Sequence, residues 1–294
     1  MNEDSYYCIA GHTFSLCTVE FCLEQMENMY PFAVPPVEEP IFCMYIIKAG
    51  MSPPTFWETP PLWVDMQGED MPRIEVYHTC DKWTFRIAMT AKAPVCCRLI
   101  SPDNFKEVWL EIDPEQEDAW FCINNAVMLL YALRTASLRT LEMHASVVVK
   151  DGQGFVFLGK SGTGKSTHAQ QWLQAFDDAY LLNDDNPVLR VMDDGEVRVF
   201  GTPWSGKTPC YKNDSVPVAA IVTLDQAQEN KLRRLRLPEA YAAILSSASG
   251  LKNEPQTAEA MYNTIRHIVT TTPCYHLNCL PDTDAARVCY GERE

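Results

Sequence analysis

The twelve cysteines include no C-x-x-C pair, which removes the spacing on which zinc ribbons and thioredoxin-type redox sites are built. Cys96 and Cys97 are adjacent, and others sit in apolar runs such as Ile41-Phe42-Cys43-Met44 and Phe121-Cys122-Ile123. They read as small buried hydrophobes. The best metal candidate among them, Cys274-Tyr275-His276-Leu277-Asn278-Cys279, alternates as a core strand would. Positive charge is also scarce, with 24 Lys and Arg against 39 Asp and Glu, a net charge of −15. An acidic surface repels phosphodiester backbones, so nucleic acid is not the expected partner. No uninterrupted apolar run approaches a membrane span, and Met1 to Tyr7 lacks the basic region and apolar run of a signal peptide. The expected location is therefore the cytoplasm, with no membrane partner. Internal repeats and low-complexity tracts are absent as well.

What remains is a chain with a real core. Of 294 residues, 47% are apolar and 21% charged, the proportions of a globular protein of one large or two ordinary domains. The first half, residues 1–117, is rich in Pro, Trp and short alternating runs. Strands are expected at Tyr6–Ala10, Ile41–Lys48, Arg73–His78, Thr84–Met89, Val95–Ile100 and Glu107–Ile112, with a helix from about Cys17 to Met29. Residues 118–140 read as a linking helix. The second half, 141–294, opens on an apolar strand Met143–Val149, a tight turn Asp151-Gly152, and a strand Phe155–Leu158. Later strands near Tyr180–Leu182, Pro187–Met192, Glu196–Phe200 and Val218–Leu224 include hairpins, so the sheet must be mixed. The expected class is α/β (α+β): a mixed-sheet P-loop domain behind a smaller, mostly β N-terminal domain.

The strand ending at Leu158 runs into Gly159-Lys160-Ser161-Gly162-Thr163-Gly164-Lys165-Ser166, which fits G-x-x-x-x-G-K-[ST] and is followed by Thr167 at the start of a helix. The glycines let successive backbone N–H groups turn toward phosphate, and the helix N-terminus adds partial positive charge. Lys165 can bridge phosphate oxygens and the Ser166 hydroxyl can ligate Mg²⁺. ATP and Mg²⁺ are therefore the expected ligands. Leu181-Leu182-Asn183-Asp184-Asp185 is an apolar strand ending in paired aspartates, one suited to a metal shell and one to accepting a hydroxyl proton; a solvated acidic turn is the plainer alternative. His144 stands just before the hairpin. The loop Gly201–Thr208 carries Lys207 and several hydroxyls, and Lys231–Arg236 is the one basic run; Lys207 and Arg234 are the candidate acceptor-binding residues, against a plain connector and a solvated face.

Taken together, His144-Ala145-Ser146, Phe157 to Thr167, and Leu182-Asn183-Asp184-Asp185 resemble the catalytic domain of bacterial HPr kinase/phosphorylase, whose P-loop architecture is shared with phosphoenolpyruvate carboxykinases. The resemblance covers roughly Leu141 to Leu235. It implies a kinase that phosphorylates a serine-type hydroxyl on a small protein or small molecule. On it, Lys165 and Ser166 match the phosphate and Mg²⁺ ligands, Asp184 the general base, Asp185 its neighbour near the metal, and His144 an active-site histidine. It also implies a homo-oligomer, since hexamers are common in that group. Gly201–Thr208 departs from the acceptor-binding signature of the bifunctional enzymes, which speaks against HPr itself as acceptor and against phosphorolysis. A second reading is an ATP-binding regulatory or accessory protein that hydrolyses ATP slowly or not at all.

Overall fold

The computed structural model describes residues 3–18, 26–48, 60–66, 72–79, 81–113, 115–206 and 208–291. The chain divides into two compact units, Met1–Arg134 and Thr135–Glu294. Each is built on a mixed sheet.

In the first unit the strands are β1 (Glu3–Ile9), β2 (His12–Thr18), β3 (Ala33–Val34), β4 (Cys43–Lys48), β5 (Trp63–Met66), β6 (Arg73–Thr79), β7 (Lys82–Ala88), β8 (Val95–Pro102) and β9 (Glu107–Ile112). Their order is β3-β1-β2-β4-β9-β8-β7-β6-β5, with β4 parallel to both β2 and β9. Helix α1 (Ala119–Thr135) buries Cys122, Ile123, Ala126, Val127, Leu130 and Tyr131, and the Tyr131 hydroxyl donates to the Ile9 carbonyl at 3.0 Å.

Two expectations fail in this unit. Ala10 and Gly11, both at positive φ (50° and 75°), reverse the chain into a β1–β2 hairpin with Ile9 opposite His12. Cys17 and Thr18 therefore end a strand instead of starting a helix. Of the expected helix Cys17–Met29, residues 19–25 lie outside the described residues, and Glu27–Phe32 forms a 3₁₀ turn around Pro31. Also, Ala119–Leu138 does reach the length and hydropathy of a membrane span, with more than half of it buried. Its buried face is the one that carries Ile123, Val127 and Leu130.

The second unit contains β10 (Thr140–Glu142), β11 (Ala145–Lys150), β12 (Gln153–Leu158), α2 (Lys165–Ala175), β13 (Tyr180–Asn183), β14 (Val188–Val191), β15 (Val197–Phe200), β16 (Ser215–Gln226), β17 (Lys231–Arg234), α3 (Leu237–Ser247), α4 (Pro255–Thr271), β18 (Cys274–Cys279) and α5 (Thr283–Gly291). The order is β10-β14-β15-β16-β12-β11-β13, with β18 on β16 and β17 on β18. Among the described residues of this unit, only β12, β16 and β18 run parallel to a neighbour; the other pairings are antiparallel, as hairpin turns such as Asp193-Asp194-Gly195 require.

The central strands are buried on both faces because alternate residues feed two separate cores. Val147, Val149, Val156 and Leu158 pack with Ile244, Met261 and Ile265 of α3 and α4. Val148, Phe155 and Phe157 pack with Trp172 of α2 and Ala285 and Ala286 of α5. Trp172 is fully buried, with its ring centroid 4.5 Å from that of Phe155 and 5.6 Å from that of Phe157. Its indole N–H donates to His168 Nε2 at 3.0 Å, and burial pushes the His168 pKa down to about 4, so that ring stays a neutral acceptor. These contacts lock the helix that follows the glycine-rich loop. Trp172→Ala should cost about 3–5 kcal/mol, read as a lowered urea midpoint; a loss under about 1 kcal/mol would mean that this core does not hold α2.

Candidate functional site

Three strand ends meet at one edge of the second unit. The β11–β12 hairpin pairs Ala145 with Leu158, so His144 and Gly159 leave the sheet side by side. The β11–β13 pairing sets Val147 opposite Asn183, which brings Asp184 and Asp185 to Ser146 and Ala145. Residues far apart in sequence thereby share one end of the sheet.

The loop Gly159–Ser166 has the geometry its glycines allow. Gly162 and Gly164 sit at φ of 81° and 101°, a left-handed region costly for side chains bearing a Cβ, and Gly164 caps α2. Thr163 closes the turn, its hydroxyl donating to the Lys160 carbonyl at 2.8 Å. Ser161, Ser166 and Thr167 are exposed around it. Gln226, at the end of β16, reaches the Thr163 and Gly162 carbonyls at 3.4 and 3.5 Å; its place beside the loop follows from the parallel β12–β16 pairing and has no motif to announce it.

Lys165 is 9% exposed. Its ammonium donates to the Gly159 carbonyl at 2.9 Å and contacts His144 Nε2 at 2.9 Å. His144 Nδ1 lies 3.1 Å from Asp185 Oδ1. With the ring proton on Nδ1 toward the carboxylate, Nε2 accepts from Lys165, giving a chain Lys165–His144–Asp185. Burial lowers the Lys165 pKa, and the Asp185 and Asp184 carboxylates pull it back up. Asp184, 5% exposed, accepts the buried Ser146 hydroxyl on Oδ1 at 2.9 Å, while its buried Oδ2 has no hydrogen-bond partner. A buried carboxylate oxygen left open is costly unless a ligand completes it.

Asn183 ties the aspartates to the Gly201–Thr208 loop. Its carbonyl oxygen accepts the Asp185 N–H at 2.9 Å, and its amide donates to Thr202 Oγ1 at 3.0 Å and the Trp204 carbonyl at 3.1 Å. Gly206 packs so closely that a Cβ there would stand 2.9 Å from the Asp184 carbonyl. Lys207 lies outside the described residues. Arg234 does not join the group: it is exposed on β17, separated from β12 by β18 and β16. In the same basic run Arg233 and Arg236 pair with Glu239. His276, on β18, bonds Thr223 Oγ1 at 2.9 Å and Asn278 Oδ1 at 3.1 Å.

Glu142 was hidden from a reading by motif. It lies on β10, just before the apolar segment from which the strand is legible, and is 1% exposed. Burial raises its pKa from 4.5 to about 7; Ser249 opposes the rise, the negative Asp185 adds to it, and Lys252 opposes it. Because the native value lies above the unfolded one, the native chain keeps a proton that the unfolded chain releases. This contribution to stability is full below pH 4.5 and is lost as pH rises through about 7. Glu142→Gln should therefore match the parent chain near pH 4.5 and exceed it at about pH 8, by on the order of 3 kcal/mol, in denaturant titrations at both pH values. An equal change at both would show that Glu142 does not titrate in this range.

Among curated proteins none matches this chain. Among solved structures, the HPr(Ser) kinase/phosphatase from Coxiella burnetii is similar at 16% identity, over 42% of this chain and 95% of that one, with a TM-score of 0.26, a likeness too slight to carry an argument. The match to a family is broader: the model of SynChlorMet cassette protein ScmC covers residues 108–281, more than half of the chain and all of the strand ends described above, and the chain belongs to the ScmC family.

Proposed function

We propose that the second unit is an ATP- and Mg²⁺-dependent phosphotransferase of the HPr kinase and phosphoenolpyruvate carboxykinase type, acting on a serine-type hydroxyl of a small protein or small molecule. The observation that carries this reading is the open Oδ2 of Asp184, buried beside the lysine of a phosphate loop. A protein that only binds nucleotide has no need of a desolvated carboxylate oxygen held ready by Ser146.

The residues present fit the ligands. Gly159 to Thr167 would hold the phosphates, through backbone N–H groups and Lys165; Ser166 and Asp185 would hold Mg²⁺. When bound, ATP·Mg²⁺ supplies a transferable phosphoryl group whose charge the metal partly neutralises. Asp184 accepts the proton of the incoming hydroxyl at Oδ2, with Oδ1 fixed by the Ser146 hydroxyl so that the open oxygen keeps its direction. His144 orients the lysine from one ring nitrogen and Asp185 from the other. Catalysis is then mainly positioning and charge neutralisation, with the general base contributing on the order of 10²–10⁴-fold.

Lys165→Ala should abolish nucleotide binding. Asp184→Asn should keep it and lower transfer of labelled phosphoryl, to free serine or to small proteins of a cell extract, by at least about 100-fold. Full transfer by Asp184→Asn would refute its role as base. Intact binding with no transfer to any acceptor would favour the accessory reading.

A further inference from the structure

A second cluster of reactive side chains lies in the first unit, unconnected with phosphate chemistry. Adjacent residues of a regular strand face opposite sides of the sheet, so Cys96 and Cys97 on β8 should point apart. The pairing slips at this place. Ile87 is opposite Cys97 while Ala88 is opposite Val95, which leaves Cys96 as the extra residue of a β-bulge. A bulge breaks the alternation and re-aims the side chain it carries. Cys122 comes to the same spot from the first turn of α1, and the three sulfur atoms lie within 4.8 Å of one another. Among the described residues no other trio of His, Cys, Asp or Glu gathers its ligand atoms in this way.

We propose that Cys96, Cys97 and Cys122 form a binding site for one thiophilic divalent cation of the zinc type, with a fourth coordination position open to water or an outside ligand. The donor set is all sulfur, which selects zinc-like ions over the Mg²⁺ of an oxygen site. Zinc–sulfur bonds are about 2.3 Å, which places three sulfurs of a tetrahedral site about 3.8 Å apart; the cluster needs to close by no more than about 1 Å. The Cys96 thiol donates to the Ile87 carbonyl at 3.2 Å, which holds its sulfur at the bulge. Cys122 sits where the N-terminal end of α1 favours negative sulfur. Gln116 braces the group, its amide donating to the Cys96 carbonyl at 3.2 Å and to Cys122 Sγ at 3.7 Å. Cys97 and Cys122 are 3% and 0% exposed, and the half-buried Cys96 leaves the route of entry. Two small apolar residues would fill this core as well as two thiols do, so packing alone does not account for three sulfurs meeting at a bulge.

The test uses the full-length protein, reduced and freed of metal with a chelator, and titrated with Co²⁺. The expected result is one Co²⁺ per chain with the intense visible bands of tetrahedral thiolate coordination, displaced by one Zn²⁺. Cys96→Ser, at the most accessible ligand, should weaken binding at least about tenfold, whereas Cys8→Ser on β1 should leave it unchanged. In the parent chain, bound Zn²⁺ should protect Cys96 from alkylation as read by peptide mass spectrometry, a measurement that needs no variant to fold. Absence of thiolate–cobalt bands, bands that survive Cys96→Ser at full affinity, or alkylation of Cys96 unaffected by Zn²⁺ would each overturn the site.

Discussion

The candidate site depends on the register of one hairpin. Asp151 and Gly152 form a two-residue turn with positive φ at both positions, 52° and 71°, the backbone that matches the twist of paired strands. That turn sets Lys150 opposite Gln153, and regular pairing then carries the register down to Ala145 opposite Leu158. His144 and Gly159 consequently emerge together. A slip of one residue would turn His144 and the glycine-rich loop out of step and would exchange the two cores, since alternate side chains on β11 and β12 belong to different ones. The burial of both faces is thus what makes the register rigid, and the rigid register is what makes a site.

The same edge gathers groups that are uncomfortable in a folded protein. Lys165 is desolvated, Asp184 keeps an open oxygen, and Glu142 behind them prefers its proton near neutral pH. Meanwhile Lys165 spends its donors on the Gly159 carbonyl and on His144. These unmet or borrowed interactions are what a phosphate and a cation would satisfy, and the apolar packing around Trp172 and Ile265 supports the cost. The Asn183 amide fixes the relation of Asp184 and Asp185 to the Gly201–Thr208 loop, so the aspartates are held by a buried polar network rather than by a free turn.

Much of this was legible in the sequence because short-range rules govern it. The glycine-rich turn Gly159–Gly164 between a strand and a helix follows from glycine spacing, and the apolar run Leu181-Leu182 shows that the aspartates stand at a strand end. The mixed character of the sheet follows from its turns. Long-range facts were not legible. Gln226 and Glu142 reach the site through pairings β12–β16 and β10–β14 that no local pattern encodes. Arg234 looked available because a basic run says nothing of which strand edge it will occupy. The β1–β2 reversal was missed because Ala10 is an unusual residue for positive φ. The three cysteines were discounted by their spacing, and the bulge that unites them is a property of strand pairing, not of β8 alone.

The most direct test of the central claim, that these strand ends form a nucleotide site, is calorimetric titration of the full-length protein with a non-hydrolysable ATP analogue, with and without Mg²⁺. The account predicts one nucleotide bound per chain, with affinity that falls when Mg²⁺ is withheld. No heat of binding at millimolar nucleotide in the presence of Mg²⁺ would contradict it.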